Sequence, residues 1–175
     1  MDLGAGDGGY VLHRARTEPR TFAVAIDASP DALTEGSWRA RRSQLANVAF
    51  LVEGIERLCA PLAADEVTVH FPWGSLLRGL IAADAAVLAR IAALIRPRGE
   101  LRVLMSAAPR DGLPDLTPDL VASLAGAYRD EGLELVAVRC ATSTDIAATH
   151  STWAKRLDIG RKRAAVLARY RRSAL

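Results

Sequence analysis

The chain has 175 residues and a mass of 18.7 kDa, a length that suits one domain spanning residues 1–175. Half of it is hydrophobic and a quarter is charged, which excludes a disordered or fibrous chain. The longest apolar run, 80–95, is interrupted by Asp84 and Arg90 and falls short of the ~18 residues of a membrane span.

In chain order, residues 21–27 (TFAVAID), 48–52 and 66–71 (EVTVHF) read as short strands. Residues 84–96 read as an amphipathic helix with an acidic start, closed by Pro97 and Gly99, and 101–105 as a buried strand. Thr117-Pro118-Asp119 combines a capping hydroxyl, a first-turn proline and a carboxylate, so a helix is expected from there to Gly132. Residues 133–140 form the next strand, and 163–171 read as a final strand with a basic edge. Strands separated by helices indicate an α/β fold, a doubly wound and mostly parallel sheet.

The net charge of +3 hides an asymmetry. Residues 153–175 hold eight Arg or Lys against Asp158 alone, a local +7 on a body that sums to −4. Such a tail is the electrostatic footprint of an anionic partner, most often nucleic acid, although a solvated cationic face explains the charge equally well. No basic n-region followed by an apolar stretch opens the chain to mark it for secretion. Two cysteines, Cys59 and Cys140, make no disulfide framework and have no zinc spacing. Both read as reduced, buried thiols of a cytoplasmic protein without a metal.

Three motifs carry chemistry. The first is DLGAGDGG at 2–9, a D-x-G-x-G-x-G turn leading into a helix; its glycines let the backbone pass close to a ligand. Nineteen residues after Gly8, Asp27 ends the second strand, where a carboxylate accepts ribose hydroxyls. Three carboxylates around one loop (Asp2, Asp7 and Asp27) disfavour a phosphate and favour a zwitterionic, cationic nucleoside, the character of S-adenosylmethionine. Glu56 suits the adenine amine there, and Ile55 its face.

The second motif is HFPWGS at 70–75, at the carboxyl end of a strand, where ligands of such sheets bind. Amino-methyltransferases that act on exocyclic nitrogens often place (N/D)-P-P-(Y/F/W) there. Here Phe71 replaces the polar first residue and Trp73 keeps the stacking role, a combination suited to an endocyclic ring nitrogen. The third is STWAKRL at 151–157, followed by GRKR at 160–163: an aromatic platform among phosphate-binding cations. Trp73 and Trp153 then make two jaws for a flipped base.

In this order and spacing, DLGAGDG, FPWGSLL and WAKRL-x-x-GRKR resemble the aminoglycoside-resistance 16S rRNA methyltransferases of the kanamycin–apramycin type, which methylate N1 of the decoding-site adenine in the small ribosomal subunit. The resemblance runs from Asp2 to about Arg163. It implies a Rossmann-like class I S-adenosylmethionine methyltransferase fold. Trp73 and Trp153 would hold the adenine, with Ser75 and Ser151 lining the pocket and no general base required. Asp2, Gly4, Gly6, Asp27, Ile55, Glu56 and His70 would contact the cofactor. Arg39, Arg41 and Arg42, together with Lys155, Arg156, Arg161, Lys162 and Arg163, would meet rRNA, the last five within a basic RNA-facing segment at 153–172.

The implied partner is the small ribosomal subunit and its 16S rRNA, met by a monomer without a membrane or a metal. His13 and His150 are expected to be surface or core residues. Family chains carry a further stretch before the glycine turn, including the first strand of the sheet, so this chain is expected to lack that strand. Two other readings stay open: a methyltransferase acting on another RNA such as tRNA, and a non-catalytic RNA-binding relative.

Overall fold

The structure is a computed structural model that describes residues 1–58, 63–107, 112–156, 158–160 and 163–174. Strands β1 (Asp2–Leu3), β2 (Ala23–Asp27), β3 (Val48–Val52), β4 (Ala64–His70), β5 (Ile95–Met105), β6 (Leu133–Cys140) and β7 (Val166–Arg172) form one sheet in the order β3-β2-β1-β4-β5-β7-β6. The first five run parallel, and β7 lies antiparallel between β5 and β6.

The expected gap at the first strand is not there. Asp2–Leu3 form that strand inside the sheet, aligned with Ala25 and Ile26 on one side and with Thr68 and Val69 on the other. Two residues suffice because neighbours on both sides fix their register. Met1 extends the contact, its carbonyl accepting from Thr68 N at 2.8 Å. Gly4 N and Ala5 N both donate to Ile26 O, turning the chain out of the sheet.

Helices α1 (Gly9–Thr17) and α2 (Pro30–Arg42) cover one face with Val11, Ala15 and Leu33. On the other, α3 (Gly74–Ile81), α4 (Ala85–Ala93), α5 (Pro118–Ser123) and α6 (Ala125–Asp130) bury Leu77, Leu80, Leu88, Ile91, Val121 and Tyr128. Side-chain caps start several helices: Ser29, Asp84 and Thr117 accept from the backbone three residues on. Short α7 (Ser143–Ala148) opens on a capping box between Thr142 and Asp145. The one-turn α8 (Thr152–Arg156) follows it.

Several boundaries differ from expectation. The helix expected over 117–132 divides at Leu124, whose N–H reaches back three residues to Val121 O, tighter than an α-helical bond. Pro97 and Gly99 fall inside β5, at a bulge where the register with β4 shifts between Ala64 and Glu66; a proline is tolerated there because it has no ladder bond to make. The final strand starts at Val166, leaving Arg163 in an isolated bridge with Ile159. Cys140 is exposed, not buried, because β6 is an edge strand; Cys59 lies outside the described residues.

Candidate active site

The carboxyl ends of β1, β2, β3 and β4 open into a crevice holding two cavities. One, of about 400 Å³, is lined by Ile26, Asp27, Ile55, Glu56, Leu58 and Ser75 among others. The second, of about 320 Å³, is lined by the glycine loop, Asp2, His70, Ser151, Trp153 and Arg156 among others. Gly4, Asp27, Ser29 and Trp73 line both, so the cavities adjoin. Together they make a long cleft with an apolar end and a polar end, each within the ~300–1,000 Å³ of small-molecule sites.

Asp27 stands at the junction. Its Oδ2 accepts from Gly6 N and its Oδ1 from Ser29 N, both at 2.8 Å. Two backbone donors therefore orient the carboxylate, and its remaining acceptor sites are available to a ligand. The glycines of the loop serve two purposes. Gly4 (φ 68°) and Gly6 (φ 55°) adopt left-handed backbone, and a Cβ on Gly6 would meet nothing within 4 Å, so that side is open to a ligand. Gly8 instead admits the Phe50 ring, which would lie 2.7 Å from an added Cβ.

In the apolar end Ile55 is buried, and Glu56 sits beside Ser75, whose hydroxyl hydrogen bond holds the Glu56 carboxyl below its usual range. The anionic form is the stronger acceptor for an exocyclic amine. Beneath the polar end Asp2 is almost wholly buried; its Oδ1 accepts from the Thr68 hydroxyl at 2.7 Å and lies 3.1 Å from His70 Nδ1. Tyr10 meets the His70 ring edge-on at 4.5 Å. All seven expected cofactor residues therefore surround one cleft, Asp2 and His70 as its floor.

The two tryptophans, 80 positions apart, line the same cavity and remain 75% and 42% exposed, as a platform for an incoming ring requires. Trp73 stands at the residue just before α3. Trp153 rides on α8, whose N-terminus is capped by Ser151 Oγ accepting from Ala154 N. Composition did not announce the role of Phe71. It is buried at φ 51°, a backbone region disfavoured for aromatics, and packs on Ala154, Leu104 and Leu167 beneath α8. One side chain therefore links the Trp73 turn to the Trp153 helix. Positive φ is invisible in sequence, although a phenylalanine in place of the polar motif residue was its signal.

The cations divide. Arg41 and Arg42 are exposed on the last turn of α2, and Lys155 and Arg156 on α8. Arg39 is half-buried and pairs with Asp7 of the glycine loop at 3.2 Å. Within β7, Arg169 is held by Glu100 and Arg172 donates to Ile95 O, so part of the C-terminal charge is spent internally. Arg163 is half-buried, and Arg161 and Lys162 lie outside the described residues. His13 and His150 stack on each other at 3.8 Å. Among the described residues no helix is long and apolar enough to cross a membrane, and no cluster of His, Cys, Asp or Glu could hold a metal ion.

An acid at the end of β2, oriented for a ribose, an apolar slot with an amine acceptor, and an open glycine turn fit S-adenosylmethionine in charge and shape. The fold and cleft are those of a class I S-adenosylmethionine-dependent methyltransferase. The family model of the NpmA-type 16S rRNA (adenine(1408)-N(1))-methyltransferases matches residues 1–172, and the chain belongs to that family. A Streptoalloteichus hindustanus 16S rRNA (adenine(1408)-N(1))-methyltransferase is 32% identical over 180 residues, covering 96% of this chain and 84% of the relative. The crystal structure of the 16S rRNA methyltransferase KamB superposes with a TM-score of 0.85 at 29% identity, covering 98% of this chain and 86% of that one. A tryptophan-to-alanine variant of the Catenulisporales acidiphilia enzyme, crystallised with S-adenosylmethionine, superposes with a TM-score of 0.87 at 29% identity, over 98% and 84% of the two chains.

Proposed function

We propose that this protein methylates N1 of the decoding-site adenine of 16S rRNA in the small ribosomal subunit, and so confers aminoglycoside resistance. It acts as a cytoplasmic monomer, a single domain that meets the RNA with exposed α8; of the basic segment expected over 153–172, β7 is instead an interior strand of the sheet. The observation that carries this reading is the pair of exposed tryptophans lining one cavity beside the Asp27 cleft.

S-adenosylmethionine, when bound, supplies an electrophilic methyl group on a sulfonium. Asp27 receives the ribose hydroxyls, Glu56 and Ile55 hold the adenine, and the Gly4–Gly6 turn admits the amino-acid end. Trp73 and Trp153 stack on the two faces of the target base after it leaves the RNA stack, recovering about 1–3 kcal/mol per base against the cost of unstacking. N1 carries its own lone pair, so no side chain has to remove a proton. The chain's contribution is position: holding the ring edge near attack distance. The product ring is cationic at N1, and Asp2 beneath the cleft keeps that region favourable to positive charge. Arg156 at the cavity and the exposed Arg41, Arg42 and Lys155 supply contacts to the RNA backbone.

Transfer of labelled methyl from S-adenosylmethionine to purified small subunits, free 16S rRNA and bulk tRNA tests the proposal. Label is expected in small-subunit RNA. Label in tRNA alone, or in none of them while the cofactor binds, contradicts it.

A further inference from the structure

A carboxylate outside the clamp ties the clamp to the cofactor loop. Asp7 Oδ2 accepts from the Thr152 hydroxyl at 3.3 Å and from Arg39 Nη1 at 3.2 Å, and Asp7 Oδ1 accepts from Gly9 N at 3.2 Å. These partners stand 145, 32 and 2 positions away in sequence, on α8, α2 and α1. The Asp7 side chain is only 16% exposed, while Thr152 and Arg39 reach it from the solvent side, so the carboxylate is the sheltered centre of the joint.

Two glycines keep the joint tight. A Cβ on Gly36 of α2 would lie 2.5 Å from Asp7 O, and a Cβ on Gly9 would lie 2.6 Å from His150 O, just ahead of α8. Thr152 is the first residue of α8 and Trp153 the second. A helix of five residues has no stability of its own, so the direction of Trp153 is set by what holds α8. Phe71 packs beneath it against Ala154, and Asp7 holds its N-terminal end.

We propose that Asp7 is a positioning residue for the methyl transfer: by pinning Thr152 to the glycine loop it sets Trp153 at a fixed place relative to the bound cofactor. This rests on Trp153 being one jaw of the clamp. Arg39, held on the same oxygen, ties α2 to the joint.

Thr152→Val removes the hydroxyl and keeps the shape; Thr152→Ser keeps the hydroxyl. With small subunits as substrate, Thr152→Val is expected to lower kcat roughly tenfold, the fold-change of losing a hydrogen bond to a charged group. The Kd for S-adenosylmethionine should stay within about twofold and Tm within a few degrees, and Thr152→Ser should restore kcat. Adding Thr152→Val to Asp7→Asn should cost less than the product of the two separate losses, because both break one contact. An unchanged kcat in Thr152→Val, or multiplicative losses in the double variant, overturns the proposal. Trp153→Ala is measured alongside. If it retains full activity the clamp reading falls and this proposal with it; if its activity falls tenfold or more while Thr152→Val is fully active, only the role of Asp7 falls.

Discussion

Asp27→Asn is a demanding test of the cofactor cleft because the two side chains have the same shape. In the native chain each carboxylate oxygen accepts one backbone N–H, from Gly6 and from Ser29, both at 2.8 Å. An amide has one acceptor oxygen and must turn its NH2 toward one of those donors. Setting a donor against a donor costs about 1–3 kcal/mol, which for a chain of this size lowers Tm by roughly 2–4 °C per kcal/mol. Separately, the ribose hydroxyls lose a charged acceptor, a hydrogen bond of about 1.5–3 kcal/mol, or roughly 10–150-fold in Kd. Isothermal titration of S-adenosylmethionine into both proteins, with thermal melts in parallel, reads the two effects apart. A Kd within about threefold of the parent protein would refute the assignment of Asp27 to the ribose, whatever happened to Tm.

Other outcomes follow from the same geometry. Trp73→Ala and Trp153→Ala should each lower methyl transfer to small subunits by about tenfold to a hundredfold, while calorimetry finds cofactor affinity nearly unchanged. Phe71→Ala empties a buried site beneath α8 and should cost about 3–5 kcal/mol, a fall in Tm of at least ~6 °C; a fall near zero would deny the link it makes. Arg41→Gln and Arg42→Gln should each flatten the dependence of log K for rRNA on log salt by about 0.9. Arg39→Gln should leave that slope unchanged, since its guanidinium is already on Asp7.

Much of the cleft was legible because its chemistry is local. Strands 48–52 and 133–140 stood out as runs of strand formers, and the turn at 2–9 and Asp27 marked segments that the fold brings to one cleft. Strand β1 was not legible: two residues have no periodicity, and only pairing with Ala25 and Thr68 makes them a strand. Helices α7 and α8 were missed because six and five residues show too little of a 3.6-residue period. The Thr142–Asp145 capping box was nevertheless present in the sequence as a signal. Charge patterning misled at Arg39 and Arg169, whose partners Asp7 and Glu100 are distant in sequence. No count of cations separates an arginine facing RNA from one bound to its own protein.

The central claim is methylation at N1 of one adenine, and primer extension on 16S rRNA from small subunits incubated with the protein and S-adenosylmethionine tests it most directly. A methyl at N1 blocks the Watson–Crick edge, so reverse transcriptase should stop at the nucleotide before the decoding-site adenine, only when the cofactor is present, and far more weakly at equal incubation time when Trp73 or Trp153 is replaced by alanine. Read-through at that adenine, from a protein that binds S-adenosylmethionine in the same preparation, would contradict the account.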